Sequence, residues 1–137
     1  MASLDELRTF FTRDFPQCTA TIEAAEGGFA RVRQEVGADQ LRPGGTVAGP
    51  VMMAAADAAS YAAILATVGI VPLAVTTSLH IHFLRRPAAD RAILAEASIL
   101  KLGQKLVVTE MRITSEGADD LVAHATATYA LPPPEKR

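Results

Sequence analysis

The chain has 137 residues and a net charge of −2, from 13 basic and 15 acidic side chains. That balance leaves no basic footprint for nucleic acid. A single cysteine, Cys18, excludes an internal disulfide and a multi-cysteine zinc cluster, and it points to a reducing, cytoplasmic setting.

The length fits one domain over residues 1–137, large enough to bury a core without staples. Half of the residues are apolar, yet aromatics make up only 5%. A core of Ala, Val and Leu implies closely packed elements. It also implies apolar surface hidden by a second copy, so a homodimer or homotetramer is expected. The first residues carry early acids and no basic run before an apolar one, which is not the pattern of a secretory leader.

Residues 3–15 place Leu4, Leu7, Phe10 and Phe11 at helical spacing, and Ser3 with Glu6 matches a capping box. Pro16 ends this helix, so residues 1–16 form an N-terminal helical segment. Residues 18–25 and 29–36 alternate apolar and polar side chains about a Gly27-Gly28 turn, the pattern of a hairpin. Residues 37–48 read as a loop around Pro43, Gly44 and Gly45. Gly49 and Pro50 then open a helix that continues to Thr67. Proline at a first helical position is pre-set for that start. This helix is apolar nearly all round, so it is expected to be buried on most sides.

Four strands follow. Residues 73–84 alternate, with Val75, Thr77, Leu79, Ile81 and Phe83 on one face. Residues 91–102, 105–114 and 120–131 continue the pattern, with turns at Gly103-Gln104 and Glu116-Gly117. Pro132, Pro133 and Pro134, with the charged residues after them, read as a flexible tail over 132–137. The fold class is therefore α+β: a long central helix wrapped by a six-stranded antiparallel sheet. Its exposed edges invite pairing with another copy.

Between residues 47 and 75 the only charge is Asp57. An acid at the centre of a membrane span costs roughly 2.5–3.5 kcal/mol. The stretch is rich in Ala, Gly and Pro, and the strands need something to cover, so no membrane partner is expected. A carboxylate on a buried apolar helix suits general-base or nucleophilic work, because desolvation raises its basicity. The structural alternative is a polar seam in which Asp57 bonds Ser60, Tyr61 or a neighbouring strand. His80 and His82 share a strand face, but no third ligand is spaced near them. No metal or other cofactor is expected.

The segment Leu41-Arg-Pro-Gly-Gly-Thr-Val-Ala-Gly-Pro-Val-Met-Met-Ala-Ala-Ala-Asp57 resembles the central-helix motif of phenylacetate-pathway (PaaI-like) hotdog acyl-CoA thioesterases. The run Val75-Thr-Thr-Ser-Leu-His-Ile-His-Phe-Leu-Arg-Arg-Pro-Ala88 resembles the strand that follows in that family. The resemblance implies a hotdog fold and hydrolysis of an acyl-CoA to free CoA and a carboxylic acid. It implies Asp57 as the catalytic carboxylate and the Gly49 N–H, at a helix N-terminus, as the group that polarises the carbonyl. It sets Arg42 where the family often has Asn or Gln, and a supporting hydroxyl at Thr76 or Thr77. Arg85 and Arg86, which end the strand, suit the phosphates of CoA. The sequence departs from the family at two positions. Ala48 replaces the usual His, and Pro50 replaces the second Gly and has no N–H to donate. Those departures keep a second expectation open: a hotdog protein that binds acyl-CoA or another apolar ligand without turning it over. A hotdog hydratase is disfavoured, because no Asp-His pair of the required pattern is present.

Overall fold

The computed structural model describes residues 1–137. Helix α1 spans Leu4–Asp14. Its capping box is formed: Glu6 N–H donates to Ser3 Oγ at 3.1 Å, and Ser3 N–H donates to Glu6 Oε1 at 3.2 Å. Strands β1 (Thr21–Glu26) and β2 (Phe29–Gln34) form the hairpin expected about Gly27-Gly28.

The segment read as a loop has structure of its own. A 3-10 turn over Ala38–Gln40 leads into a small hairpin, β3 (Leu41–Arg42) with β4 (Thr46–Val47). Gly44 and Gly45 turn it with φ of 93° and 74°, a conformation that costs glycine nothing. Two-residue strands are too short for alternation to register in a sequence. The chain then enters helix α2, Gly49–Val68.

Strands β5 (Val75–Phe83), β6 (Ile93–Leu102), β7 (Leu106–Ser115) and β8 (Leu121–Ala130) complete an antiparallel sheet of order β1-β2-β6-β7-β8-β5. The sheet curls around α2, the architecture expected from an apolar helix with six strands to cover it. The helix is long and apolar enough to cross a membrane by length and composition, and the sheet buries most of it. Eleven of its residues are buried, and seven of these are alanines. Alanines let β2 and β6 approach the helix closely, and Ala95, Ala97, Ala125 and Ala127 answer from the sheet.

One stripe of α2 is not covered by the sheet. Pro50, Met53 and Ala54 are exposed, and Asp57 and Tyr61 are half-buried. Beside this stripe runs β5, an edge strand with a free row of backbone groups. At the C-terminus, Pro134–Lys136 form a 3-10 turn, and Arg137 donates to Pro132 O and Gln104 O, each at 2.9 Å.

A bulge changes the faces of β5. Thr76 pairs with Tyr129 and Ser78 with Thr128, so Thr77 has no rung of its own. Thr76, Leu79, Ile81 and Phe83 therefore share the face toward α2. Val75 and Thr77, expected on that face by simple alternation, do not. Val75 is 50% exposed.

Candidate active site

Asp57 lies in the middle of α2, on the uncovered stripe. Its Oδ1 accepts hydrogen bonds from Thr76 Oγ1 of β5 at 2.8 Å and from the Tyr129 hydroxyl of β8 at 2.5 Å. The Tyr129 hydroxyl also reaches the Asp57 carbonyl oxygen at 3.0 Å. Two donors thus fix the carboxylate by one oxygen. Oδ2 accepts nothing from the protein.

Of the partners proposed for a purely structural Asp57, the strand alternative is the one formed. Ser60 is buried against Thr109 at 2.7 Å, and the Tyr61 hydroxyl donates to Pro72 O at 3.1 Å. Of the two candidate hydroxyls, Thr76 reaches the carboxylate. Thr77 donates instead to Thr128 O at 3.1 Å. The bulge decides between them.

Tyr129 was not singled out from the sequence. Burial, then the negative charge of Asp57, pushes its pKa well above the usual phenol range, so it remains a donor. The signal was available. Tyr129 ends the inner face Ala123, Ala125, Ala127, and a phenol among buried alanines needs a hydrogen-bond partner.

Asp57 opens into a cavity of about 650 Å³ walled by Phe10, Phe15, Tyr61, Pro72 and Tyr129. Helix α1 supplies part of that wall. Phe10 and Phe11 pack on Tyr61 with ring centroids 6.2 and 5.8 Å apart, and Tyr61 stacks on Tyr129 at 6.2 Å. The small helix side chains and the aromatic cavity are thus two parts of one design: the alanines bring the sheet close, and the aromatics line the space left at its edge.

The other end of the stripe is different. Gly49 opens α2, with Ala48 as an N-cap that has no side-chain bond to give. Pro50 has no N–H, and the Val51 N–H returns to Ala48 O at 3.0 Å. Gly49 therefore holds the first-turn N–H free of a helical acceptor, at the positive end of the helix dipole. The Phe83 ring covers its Cα: a Cβ there would lie 3.2 Å from the ring. Around it is an open groove of about 430 Å³ that gathers Arg42, Arg85 and Arg86. Arg85 Nη1 also donates to Leu121 O at 2.5 Å.

The structure thus sorts the sequence-derived residues into two groups. Asp57 and Thr76 meet at the aromatic cavity, while Gly49 meets Arg42, Arg85 and Arg86 at the basic groove. No residue lines both. His80 and His82 lie on the outer face of β5, away from either.

The model of the thioesterase superfamily matches residues 44–129, which include α2 and strands β5 to β7. No curated protein matches the sequence. Among solved structures, a Silicibacter protein provisionally described as a thioesterase is 41% identical. Its TM-score is 0.88, over 96% of this chain and 92% of that one. A variant of the phenylacetic acid degradation protein PaaI from Thermus thermophilus is 28% identical, with TM-score 0.75 over 86% and 97%. Zebrafish thioesterase superfamily member 2 shares the fold at 21% identity, with TM-score 0.84 over 96% and 100%. The chain therefore belongs to the thioesterase superfamily and has its hotdog fold, with thioester hydrolysis as the reaction class.

Proposed function

We propose that the protein hydrolyses acyl-CoA thioesters at a site shared between two chains. The observation that carries this reading is the Asp57 carboxylate. It is held by Thr76 and Tyr129 on Oδ1 and left free on Oδ2, at an aromatic cavity able to take an acyl group. The Gly49 groove, with three arginines, suits the phosphates of CoA.

In the reaction, Oδ2 takes a proton from water while the water oxygen bonds to the thioester carbon. The carbonyl oxygen gains the charge and accepts the Gly49 N–H. The C–S bond then breaks, and the sulfur leaves as CoA after taking up a proton. In the nucleophilic variant, Oδ2 itself bonds to the carbon and water cleaves the resulting anhydride. A single turnover in ¹⁸O-water that leaves label in the Asp57 carboxylate marks the second route, with water attacking the Asp57 carbonyl of the anhydride; label in the product acid alone is common to the first route and to attack at the acyl carbon.

One helix cannot provide both groups to one thioester. Gly49 and Asp57 are eight positions apart, roughly 12 Å along the axis. The carbonyl oxygen must sit about 3 Å from its donor and the carbon about 3–3.5 Å from its attacker. An antiparallel second copy resolves this by bringing the partner's Gly49 beside Asp57. The uncovered stripe of α2 and the free edge of β5 lie where that copy would pack. A two-fold pair then holds two equivalent sites.

Two experiments test the proposal. A panel of acyl-CoAs with a thiol reagent should release free CoA. Binding without release would instead support the ligand-binding reading, which Ala48 and Pro50 favour. Mixing an Asp57→Asn chain with a Gly49→Trp chain should restore up to about half of the activity, because one site per mixed dimer is intact. No recovery after proven subunit exchange would exclude the shared site.

A further inference from the structure

We propose that Phe11 and Tyr61 form a partition that bounds the length of acyl chain the protein takes, with a second cavity shut off behind it. The inference rests on the acyl reading of the Asp57 cavity. Tyr61 follows Asp57 by four positions, so it lies on the same face of α2, roughly 6 Å further along the axis. A chain that starts at Asp57 and fills the cavity meets its ring. Phe10, Phe11, Phe15 and Tyr129 surround that ring, with centroids 5.8–6.2 Å away. Its hydroxyl is tied to Pro72 O at 3.1 Å. Held on these sides, Tyr61 is a fixed wall.

More space lies behind the wall. A cavity of about 480 Å³ runs between α1 and the segment that enters β1, lined in part by Phe11, Cys18, Ala20 and Ile22. It shares no lining residue with the Asp57 cavity. Phe11 lines the second cavity and packs on Tyr61 and Phe15, which line the first. Its ring centroid is 5.8 Å from one and 5.5 Å from the other. One buried phenylalanine thus stands between the two cavities. In the wild type a longer chain turns out past Asp14, which lines the first cavity and pairs with Arg13 at 2.9 Å. Methylenes beside that exposed ion pair stay in water and gain nothing from burial. The substrate class is therefore an acyl-CoA of bounded chain length, and the bound is set by side chains remote from the reacting carbon.

The test is kcat/KM along straight-chain acyl-CoAs, from butanoyl to hexadecanoyl, for the full chain and for Phe11→Ala. In the wild type the value should rise by about fourfold per methylene and then stop rising. In Phe11→Ala the rise should continue past that length. Ala20→Trp, which lines only the second cavity, should leave the wild-type profile alone and cancel the gain in Phe11→Ala. Circular dichroism checks folding. Phe11→Val and Tyr61→Leu open the partition from its two sides with less packing lost, and they should move the limit in the same direction.

A second readout needs no hydrolysis. Cys18 is the chain's one cysteine and lines the second cavity. Burial raises its thiol pKa, so maleimide labelling runs at mildly alkaline pH. Dodecanoic acid should shield Cys18 from the label in Phe11→Ala and not in the wild type. A wild-type profile with no limit, an unmoved limit in the folded variants, or equal shielding in both proteins would each overturn the partition. If no acyl-CoA releases CoA, the hydrolysis reading falls, and the shielding of Cys18 still decides this one.

Discussion

The two ends of the uncovered stripe on α2 were built for different surroundings. Around Asp57 the cavity is aromatic, half-enclosed, and walled in part by α1. Around Gly49 the groove is open, basic, and formed by β4, the helix start and the segment after β5. In the proposed function, the first would take the acyl group and the second the phosphate-bearing carrier. Each end has half of what a thioester needs, with a carboxylate and no free N–H at one and a free N–H and no carboxylate at the other. Division of labour along one helix is a reason for two helices to meet.

The largest expected effect tests the carboxylate end. Asp57→Asn keeps the shape and the Oδ1 contacts but loses the basic oxygen. Turnover should fall by at least about a hundredfold with the fold unchanged, the usual worth of a positioned general base. Turnover within a fewfold of wild type would remove Asp57 from the chemistry. Next comes the residue that holds it. Tyr129→Phe removes the 2.5 Å bond. A drop in kcat of about tenfold is expected, or about 1.4 kcal/mol of barrier, with KM little changed. Chemical denaturation should show a loss of about 1 kcal/mol for the lost hydrogen bond. A stability loss without a change in kcat would make Tyr129 structural only.

The basic end should answer differently. Arg42, Arg85 and Arg86 changed to Ala should raise KM about fivefold each and leave kcat alone, the mark of uniform binding lost at exposed charges. Arg85→Ala should also cost some stability, because its guanidinium caps Leu121 O. If kcat falls instead, the groove is part of the reacting centre, and the comparison between the two ends fails. The smallest effects separate neighbours. Thr76→Ala should lower kcat a fewfold, about the worth of one neutral hydrogen bond, while Thr77→Ala leaves it unchanged. The reverse order in steady-state kinetics would make Thr77, not Thr76, the supporting hydroxyl.

Much of this was legible in the sequence. Helix α2 announced itself by twenty nearly uncharged residues with Gly49-Pro50 at the start, and Asp57 stood out as the lone acid within it. The strands after it were plain from alternation, which locates a strand but assumes every residue takes a rung. Thr77 breaks that assumption, and with it the assignment of Val75 and Thr76 to faces. The β3–β4 hairpin was hidden by its shortness. Tyr129 was hidden by its position, since it reads as one more inner-face residue until the helix beside it is known. The convergence of Arg42 with Arg85 and Arg86 joins residues more than forty positions apart, and no local pattern reports such a meeting.

Strand β5 leaves nine residues along an unpaired edge, most of them exposed. An edge satisfied only by a second copy ties the working state to the square of the chain concentration, because association is governed by mass action. Specific activity would then fall as the protein is diluted and recover as it is concentrated, with no change in any one chain. A cell could set the output of such an enzyme by abundance more steeply than in proportion.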